Sequence, residues 1–595
     1  MMDHLLDILY SHPFPSTRNG ALFNAFSYPT KISPEAISIF IACHTKPGAT
    51  ILDPFGGSGT TGIATMLCDK PTPEMLAFVE KNGLKPQWGP RNAIIYELSP
   101  IGALAGTVMC TGKPTTFETA AKSLLEKAKA LCTDVYKTKD PDGNIGELRY
   151  AIWSDYVKCP VCHKEIPYGE IAVRFNPVTF LDKANCPFCS AKIDLTTSER
   201  SIEKYRDKIT HCMSTRKKRT PMWIYGSTGK SKWHRKATSF DINSLRKYRG
   251  YDSVNDPIVY PIRWGILFRN GYHKGVTHLH HFYTERNFYV FSHLWELIDS
   301  FPLETQPWLK VWLLSYNMSH STLMTRVVAK KDNPDFVVTG SQPGVLYISG
   351  LPVEKNIFMG LERKIQTFVE AFKLIEGSRS SVVFKNTSST NLSEDDSTID
   401  YVFTDPPFGD YIPYSELNQI NEAWLGTLTC PENEVIVNQS QNKAVDDYRS
   451  LMTNVFKELQ RVLKSNSSCT LVFHSAKSEI WQAIISSYSD NGFVVSRTSI
   501  LDKKQASFKQ TNSNITVKGD PLILLENRHV YDDKSILAND DIELAQKILS
   551  DFSHLPNGKE KSEWMYSKYI TSCIEAGIKI TLDAQFFFDE KNKQK

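Results

Sequence analysis

Two short runs in this 595-residue chain hold residue types that do chemistry once something positions them. The first is Asp53-Pro54-Phe55-Gly56-Gly57-Ser58-Gly59-Thr60-Thr61, an acid followed by closely spaced glycines. Glycine has no Cβ, so a ligand can lie against the backbone of such a loop. Glu97, further on, is a carboxylate that can accept both hydroxyls of a ribose. A glycine loop with a later acid serves nicotinamide and adenosyl cofactors alike. The loop lacks the Gly-Lys-Ser/Thr ending of a phosphate-cradling loop, and Gly229-Lys230-Ser231 lacks the preceding strand and first glycine. The second run is Thr404-Asp405-Pro406-Pro407-Phe408-Gly409. Its prolines remove two backbone donors and stiffen the turn. Asp405 and the Pro406 carbonyl can then accept two N–H bonds, and Phe408 can stack on a ring, which suits a planar base with an exocyclic amine.

A third constellation is Cys159-Pro160-Val161-Cys162 with Cys186-Pro187-Phe188-Cys189, 23 residues apart. Two such pairs predict a tetrahedral site of four thiolates, a zinc ribbon over about 155–195. Four thiolates leave no open position, so the Zn2+ is expected to be structural. The other eight of the twelve cysteines are scattered, too sparse for a secreted disulfide scaffold, and a reducing cytoplasm is expected. His273, His278, His280 and His281 form a cluster with no standard metal-site spacing; Arg286 and Asn287 follow it as polar groups that could reach a substrate.

The elements around the motifs fix how they can meet. Residues 34–45 have helical apolar spacing; 49–53 is an apolar strand, the glycine loop leads into a helix, and a second strand, 93–96, ends at Glu97. This strand–loop–helix–strand order builds parallel sheets. After a helix at 116–134 the chain changes character. Helices are predicted at 286–300, 306–325 and 362–376. Strand patterning returns from 381, with strands at 400–404, 470–474, 492–500 and 521–526 and helices at 447–463 and 478–489. Residues 20–110 and 380–525 together suffice for one doubly wound α/β domain. The interval 111–379 is a large insertion containing the cysteine pairs and helices, and 526–595 is a charged, helical tail region.

A charge of +4 excludes a chain basic throughout but not a basic face. Within 211–250, Arg216, Lys217, Lys218, Arg219, Lys230, Lys232, Arg235, Lys236, Arg246, Lys247 and Arg249 face only Asp241, a net +10. Trp223, Tyr225, Trp233 and Tyr248 are interleaved, a composition that suits phosphates and bases. No run approaches a membrane span, and the N-terminus does not read as a signal peptide.

DPFGGSGTT and TDPPFGDY together resemble the amino-group DNA methyltransferases that use S-adenosylmethionine. Phe26-Ser27-Tyr28-Pro29-Thr30-Lys31 is similar to that family's upstream cofactor motif. DPPFGDYIPYSEL and GYHKGVTHLHHFYTERN look like a subgroup of bacterial adenine-specific methylases with a zinc-ribbon insertion. The resemblance implies a Rossmann-like methyltransferase sheet split by the insertion. It implies that Asp53, Pro54, Phe55, Gly57, Gly59, Glu97 and Lys31 bind the cofactor, and that Asp405, Pro406, Pro407 and Phe408 hold a flipped base for direct methyl transfer. It also implies DNA as partner, with protein partners of a modification or defence system. Asp at 405 favours adenine N6 over cytosine N4. Carbon-5 chemistry would need a Pro-Cys pair, and no cysteine follows a proline. The chain departs from the family at Asn386–Thr390, where an acid is usual, and in the position of its insertion. The competing readings are a catalytically silent nucleic-acid-binding subunit of a defence complex, a tRNA-type methyltransferase and a cytosine-N4 methyltransferase.

Overall fold

The computed structural model describes residues 2–11, 14–16, 20–245, 248, 258–331, 333–503, 519–527, 541–551 and 559–587. Arg246, Lys247 and Arg249 of the basic stretch, and parts of 526–595, lie outside these residues. The chain divides into two compact units. One comprises Met1–Pro114, Glu370–Asn418 and Leu428–Lys595; the other comprises Thr115–Val369 and Gln419–Thr427. Among the described residues no helix is long and apolar enough to cross a membrane.

The first unit is built on β1 (Phe14–Ser16), β2 (Thr50–Asp53), β3 (Asn92–Tyr96), β4 (Ser381–Lys385), β5 (Ile399–Thr404), β6 (Leu463–Val472), β7 (Phe493–Lys503) and β8 (Asp520–Asn527). Their order across the sheet is β1-β7-β8-β6-β5-β2-β3-β4. Every pairing is parallel except those of β8 with β6 and β7. The central strands are apolar on both faces, with Ile51, Leu52, Ile95 and Val402 inaccessible, as a sheet covered on both sides requires. Helices α1 (Pro34–His44), α2 (Thr60–Asp69) and α3 (Pro100–Thr111) follow the sequence signals. Ser33 and Ser99 cap α1 and α3, each with proline at the first helical position. This is the expected α/β class with a central, mostly parallel sheet.

The parallel register determines where the motifs lie. Asp53 pairs with Ile95, and Lys385 with Tyr96, so β2, β3 and β4 end at one edge. Strand β5 joins β2 from the other side, also parallel, and ends at Thr404. The edge between β2 and β5 is where strand order reverses, the usual crevice for ligands in open α/β sheets.

Among the elements that differ from the sequence expectation are β6 and the C-terminal helices. Strand β6 begins at Leu463 rather than 470, because Lys464–Ser468 is polar yet extends along the sheet with mostly exposed side chains. The C-terminal helices α4 (Asp541–Asp551) and α5 (Lys559–Ala576) contribute core, with Tyr566, Tyr569, Ile570 and Cys573 inaccessible.

The second unit centres on the long strand Ile145–Lys158. It pairs antiparallel with Arg219–Thr228, Val353–Lys355, Lys137–Lys139 and Glu165–Pro167. Strand Ser231–Lys236 extends this sheet at the edge. Helices Glu285–Leu297 and Gln306–Tyr316 supply an apolar core that includes Trp312.

Arg286 and Asn287 belong to that interior rather than to a substrate surface. Arg286 bonds both oxygens of Glu354, at 2.9 and 2.8 Å, and both residues are buried. Asn287 accepts from the Tyr136 hydroxyl at 2.7 Å and donates to the Ser321 carbonyl. Arg286→Met leaves the Glu354 carboxylate buried without its cation. We expect it to destabilise the second unit by about 3–5 kcal/mol, measured by denaturant unfolding.

Candidate active site and metal centre

The glycine loop is held from below. Gly56 donates to the Tyr96 carbonyl at 2.8 Å, and Gly59 to the Gly56 carbonyl at 2.8 Å. Gly59 has φ +82°, and a Cβ there would lie 2.5 Å from the Gly106 Cα and 2.7 Å from the Phe384 ring. Only glycine satisfies both constraints, and α2 begins at the next residue.

Asp53 sits under the loop, 4% exposed. Its Oδ1 accepts from the Phe55 N–H at 3.0 Å and the Thr404 hydroxyl at 3.1 Å, and its Oδ2 from the Thr61 hydroxyl at 2.6 Å. Burial raises its pKa to about 6, and these hydrogen bonds pull the other way. Glu97 takes the Gly57 N–H on one oxygen at 2.6 Å and the Ser99 N–H on the other at 2.8 Å, joining the loop to the start of α3.

These residues line one cleft of about 940 Å³, its open mouth included. Lys31, Asp53, Pro54, Phe55, Gly57, Glu97, Asp405 and Pro407 all border it. Gly59 supports the loop, and neither it, Pro406 nor Phe408 is among the lining residues. The Phe408 ring is 6% exposed and packs edge-on against Phe473, with centroids 5.5 Å apart. The Lys31 ammonium donates to the Leu22 carbonyl at 2.8 Å. Among the described residues, four carboxylates, Asp53, Glu97, Asp405 and Glu434, and one lysine line the cleft, with no arginine or histidine.

Sequence reasoning missed several lining or supporting residues. Tyr414 lies nearly parallel to Tyr28, centroids 6.1 Å apart, and burial pushes its phenol pKa up, keeping it a neutral donor. Asn418 donates to the Tyr28 hydroxyl and to Ser99. Glu434 accepts from the Ser415 hydroxyl at 2.6 Å and from Gln441 at 2.8 Å. Tyr414 and Glu434 follow the Asp-Pro-Pro turn without a spacing signal of their own. Ser388 and Ser389 also border the cleft.

In the second unit, Cys159, Cys162, Cys186 and Cys189 bring their sulfurs within 4.8 Å of one another. Cys159 lies 3.7 Å from Cys189, and Cys162 lies 3.7 Å from Cys186. Zn–S bonds of about 2.3 Å at the tetrahedral angle put sulfurs about 3.8 Å apart. The two turns repeat each other: His163 and Ser190, each just after a second cysteine, have φ 59° and 60°. His163 donates to the Cys159 carbonyl and Ser190 to that of Cys186.

Asp207, His280 and His281 also converge within 4.8 Å. Here the protons argue for a clamp. His281 Nδ1 accepts from the Thr277 N–H at 3.1 Å and the His278 N–H at 3.3 Å, so its proton is on Nε2. That Nε2–H faces Asp207 Oδ2 at 2.9 Å, as His280 Nε2 does at 2.8 Å. A neutral ring ligating through Nε2 would need the opposite tautomer. Burial would raise the Asp207 pKa, but the histidine bonds hold it far below the carboxylate range.

Five of the eight described cations of the basic stretch are paired, and Lys230, Lys232 and Lys236 are exposed. Arg216 bonds Glu203 and Glu285, Lys217 and Arg219 share Asp155, Lys218 pairs with Glu165, and Arg235 with Asp241.

The N-terminal part of the first unit, through the glycine loop to the end of α2, is similar to a known family. Residues 6–70 match the N6/N4 DNA methylase family model. No curated protein matches the chain. Among solved structures, a SAM-dependent methyltransferase from Methanosarcina mazei is 11% identical, over 25% of this chain and 68% of its own, with a TM-score of 0.15. The antibiotic-resistance methyltransferase Kmr is 13% identical, over 29% of this chain and 73% of its own, with a TM-score of 0.16. At such TM-scores these likenesses carry no argument.

Proposed function

We propose that the first unit binds S-adenosylmethionine and methylates an exocyclic amino group of DNA, adenine N6. The observation that carries this reading is the charge of the cleft. The cofactor bears a sulfonium and an α-ammonium, and four carboxylates against one lysine favour such a cation. A dinucleotide would bring a pyrophosphate into the same field. The methylase match over 6–70 supports the same choice.

When bound, the cofactor supplies a methyl group activated on sulfur. Asp53 would attract its ammonium, the glycine loop would lie along its methionine part, and Glu97 would hold its ribose, with Lys31 near its carboxylate. Asp405 and the Pro406 carbonyl would accept the two N–H bonds of the target amine. That attraction grows as the nitrogen becomes tetrahedral and positive in the transition state. Asp405 would also take the proton that the amine sheds on gaining the methyl group. The base must leave the helix to reach Asp405, at a cost of about a few kcal/mol. Because Phe408 is packed inside, Tyr28 and Tyr414 are better placed to flank the base. Cys159, Cys162, Cys186 and Cys189 would hold one structural Zn2+ in the second unit.

The test is a pair of titrations. S-adenosylhomocysteine is expected to bind, and NADH is not; the reverse would overturn the reading. Binding should also depend on pH. With a folded pKa of about 6, Asp53 holds its proton through a range where the unfolded chain has released it, so its contribution favours folding at low pH and is lost as pH rises through about 6. Cofactor attraction needs the ionised form and runs the other way. Affinity should rise with pH through about 6, and Asp53→Asn should flatten the profile and weaken binding roughly tenfold or more.

A further inference from the structure

The paired cations of the second unit leave a different surface exposed. Strands Ile202–Arg206 and Met213–Lys217 form a two-stranded antiparallel ribbon on their own. In its register Lys204 faces Thr215 and Arg206 faces Met213, so these four side chains share one face. All four are exposed, Met213 at 70%. Lys208 and His211, in the connecting loop, are exposed as well. The face carries no acid, and the side chains of Lys204, Arg206 and Lys208 have no partner among the described residues.

The other face is fastened down. Glu203 and Arg216 oppose each other across the ribbon, and Arg216 reaches Glu285 at 3.0 Å. The Tyr205 hydroxyl meets His281 Nε2 at 2.9 Å. Asp207, at the turn, is clamped by His280 and His281 and accepts the Ile209 N–H at 2.9 Å. Gly275 fits beneath the ribbon, where a Cβ would lie 2.3 Å from the Thr215 carbonyl. The histidine cluster thus anchors the ribbon at its turn.

We infer that Ile202–Lys217 is a DNA-reading ribbon that seats in the major groove, with Lys204, Arg206, Met213 and Thr215 toward the base edges and Lys208 toward phosphate. The major groove of B-DNA admits a two-stranded ribbon. Arginine and lysine suit guanine edges, and the apolar Met213 and the Thr215 methyl suit thymine methyls. The deep, narrow major groove of A-form RNA excludes such an element. This rests on the reading of the chain as acting on DNA, and it assigns sequence selection to the ribbon.

The test uses the full chain and its Arg206→Ala, Met213→Ala and Lys208→Ala variants. Duplex binding is measured against salt, and methylated sites are mapped by sequencing. Arg206→Ala should weaken binding to the recognised duplex roughly tenfold to a hundredfold and relax one base position. Met213→Ala should weaken discrimination at a thymine. Lys208→Ala should weaken all duplexes alike and lower the salt slope by about one. Unchanged hydrogen-exchange protection of the long strand Ile145–Lys158 in each shows that the second unit stays folded. Unaltered sites and affinities would overturn the inference, as would equal loss of binding to duplex RNA. Methyl transfer to DNA that ignores the ribbon would sink the ribbon alone; ribbon-dependent duplex binding without methyl transfer would sink the catalytic reading alone.

Discussion

Asp405→Ala is expected to lower methyl transfer by roughly a hundred- to a thousandfold, with S-adenosylhomocysteine affinity unchanged. The separation follows from the layout. Asp53 and Glu97 are tied to the glycine loop by hydrogen bonds of 2.6–3.0 Å, and none of those bonds involves Asp405. Asp405 stands after β5, on the opposite side of the strand-order reversal from Glu97, where an acceptor base and not the cofactor would meet it. An amine conjugated to a purine ring is a poor nucleophile. The acceptor that gains attraction as the nitrogen becomes positive therefore acts on the transition state more than on the ground state. Asp405→Asn keeps the shape and one acceptor but loses the charge, and should fall between wild type and Ala. The check is a single-turnover rate with labelled cofactor, beside a binding titration for each variant.

Stripping the metal from the four-cysteine centre should unfold the segment around it, while the first unit still binds cofactor. The local core is small: Val157, Ile166, Ile171, Ala172, Ile193 and Leu195 with the buried Cys159 and Cys186. A module this size depends on its metal, and zinc binding in small finger peptides is worth about 10–16 kcal/mol near neutral pH. Elemental analysis should give one zinc per chain. Hydrogen exchange should show amides of the 157–195 segment losing protection when a mercurial displaces the ion, and Cys186→Ser should do the same. Full protection in metal-free protein would contradict the assignment.

The glycine-loop side of the cleft was legible because its residues are local to strand ends. Asp53 and Glu97 each follow an apolar run, and parallel pairing carries such ends to one edge whatever lies between. The same logic reached Asp405, far along the chain. It stopped short at Tyr414 and Glu434, which enter through return segments with no periodicity to mark them. Phe408 belongs to a readable motif, yet its ring points into the core against Phe473, which lies just after β6. Pairing within the basic stretch was hidden for a similar reason: Arg216 meets Glu285, and Lys217 and Arg219 share Asp155, partners remote in sequence. In α5 the buried face, Met565, Tyr566, Tyr569, Ile570 and Cys573, has helical spacing, but polar neighbours and tyrosines hid it.

The central claim, methyl transfer to an exocyclic amine of DNA, is tested most directly by incubating the chain with labelled S-adenosylmethionine and duplex DNA, then digesting the DNA to nucleosides. The account predicts label in N6-methyladenine, absent with Asp405→Ala. Label confined to tRNA, label in 5-methylcytosine, or equal transfer by Asp405→Ala would contradict it.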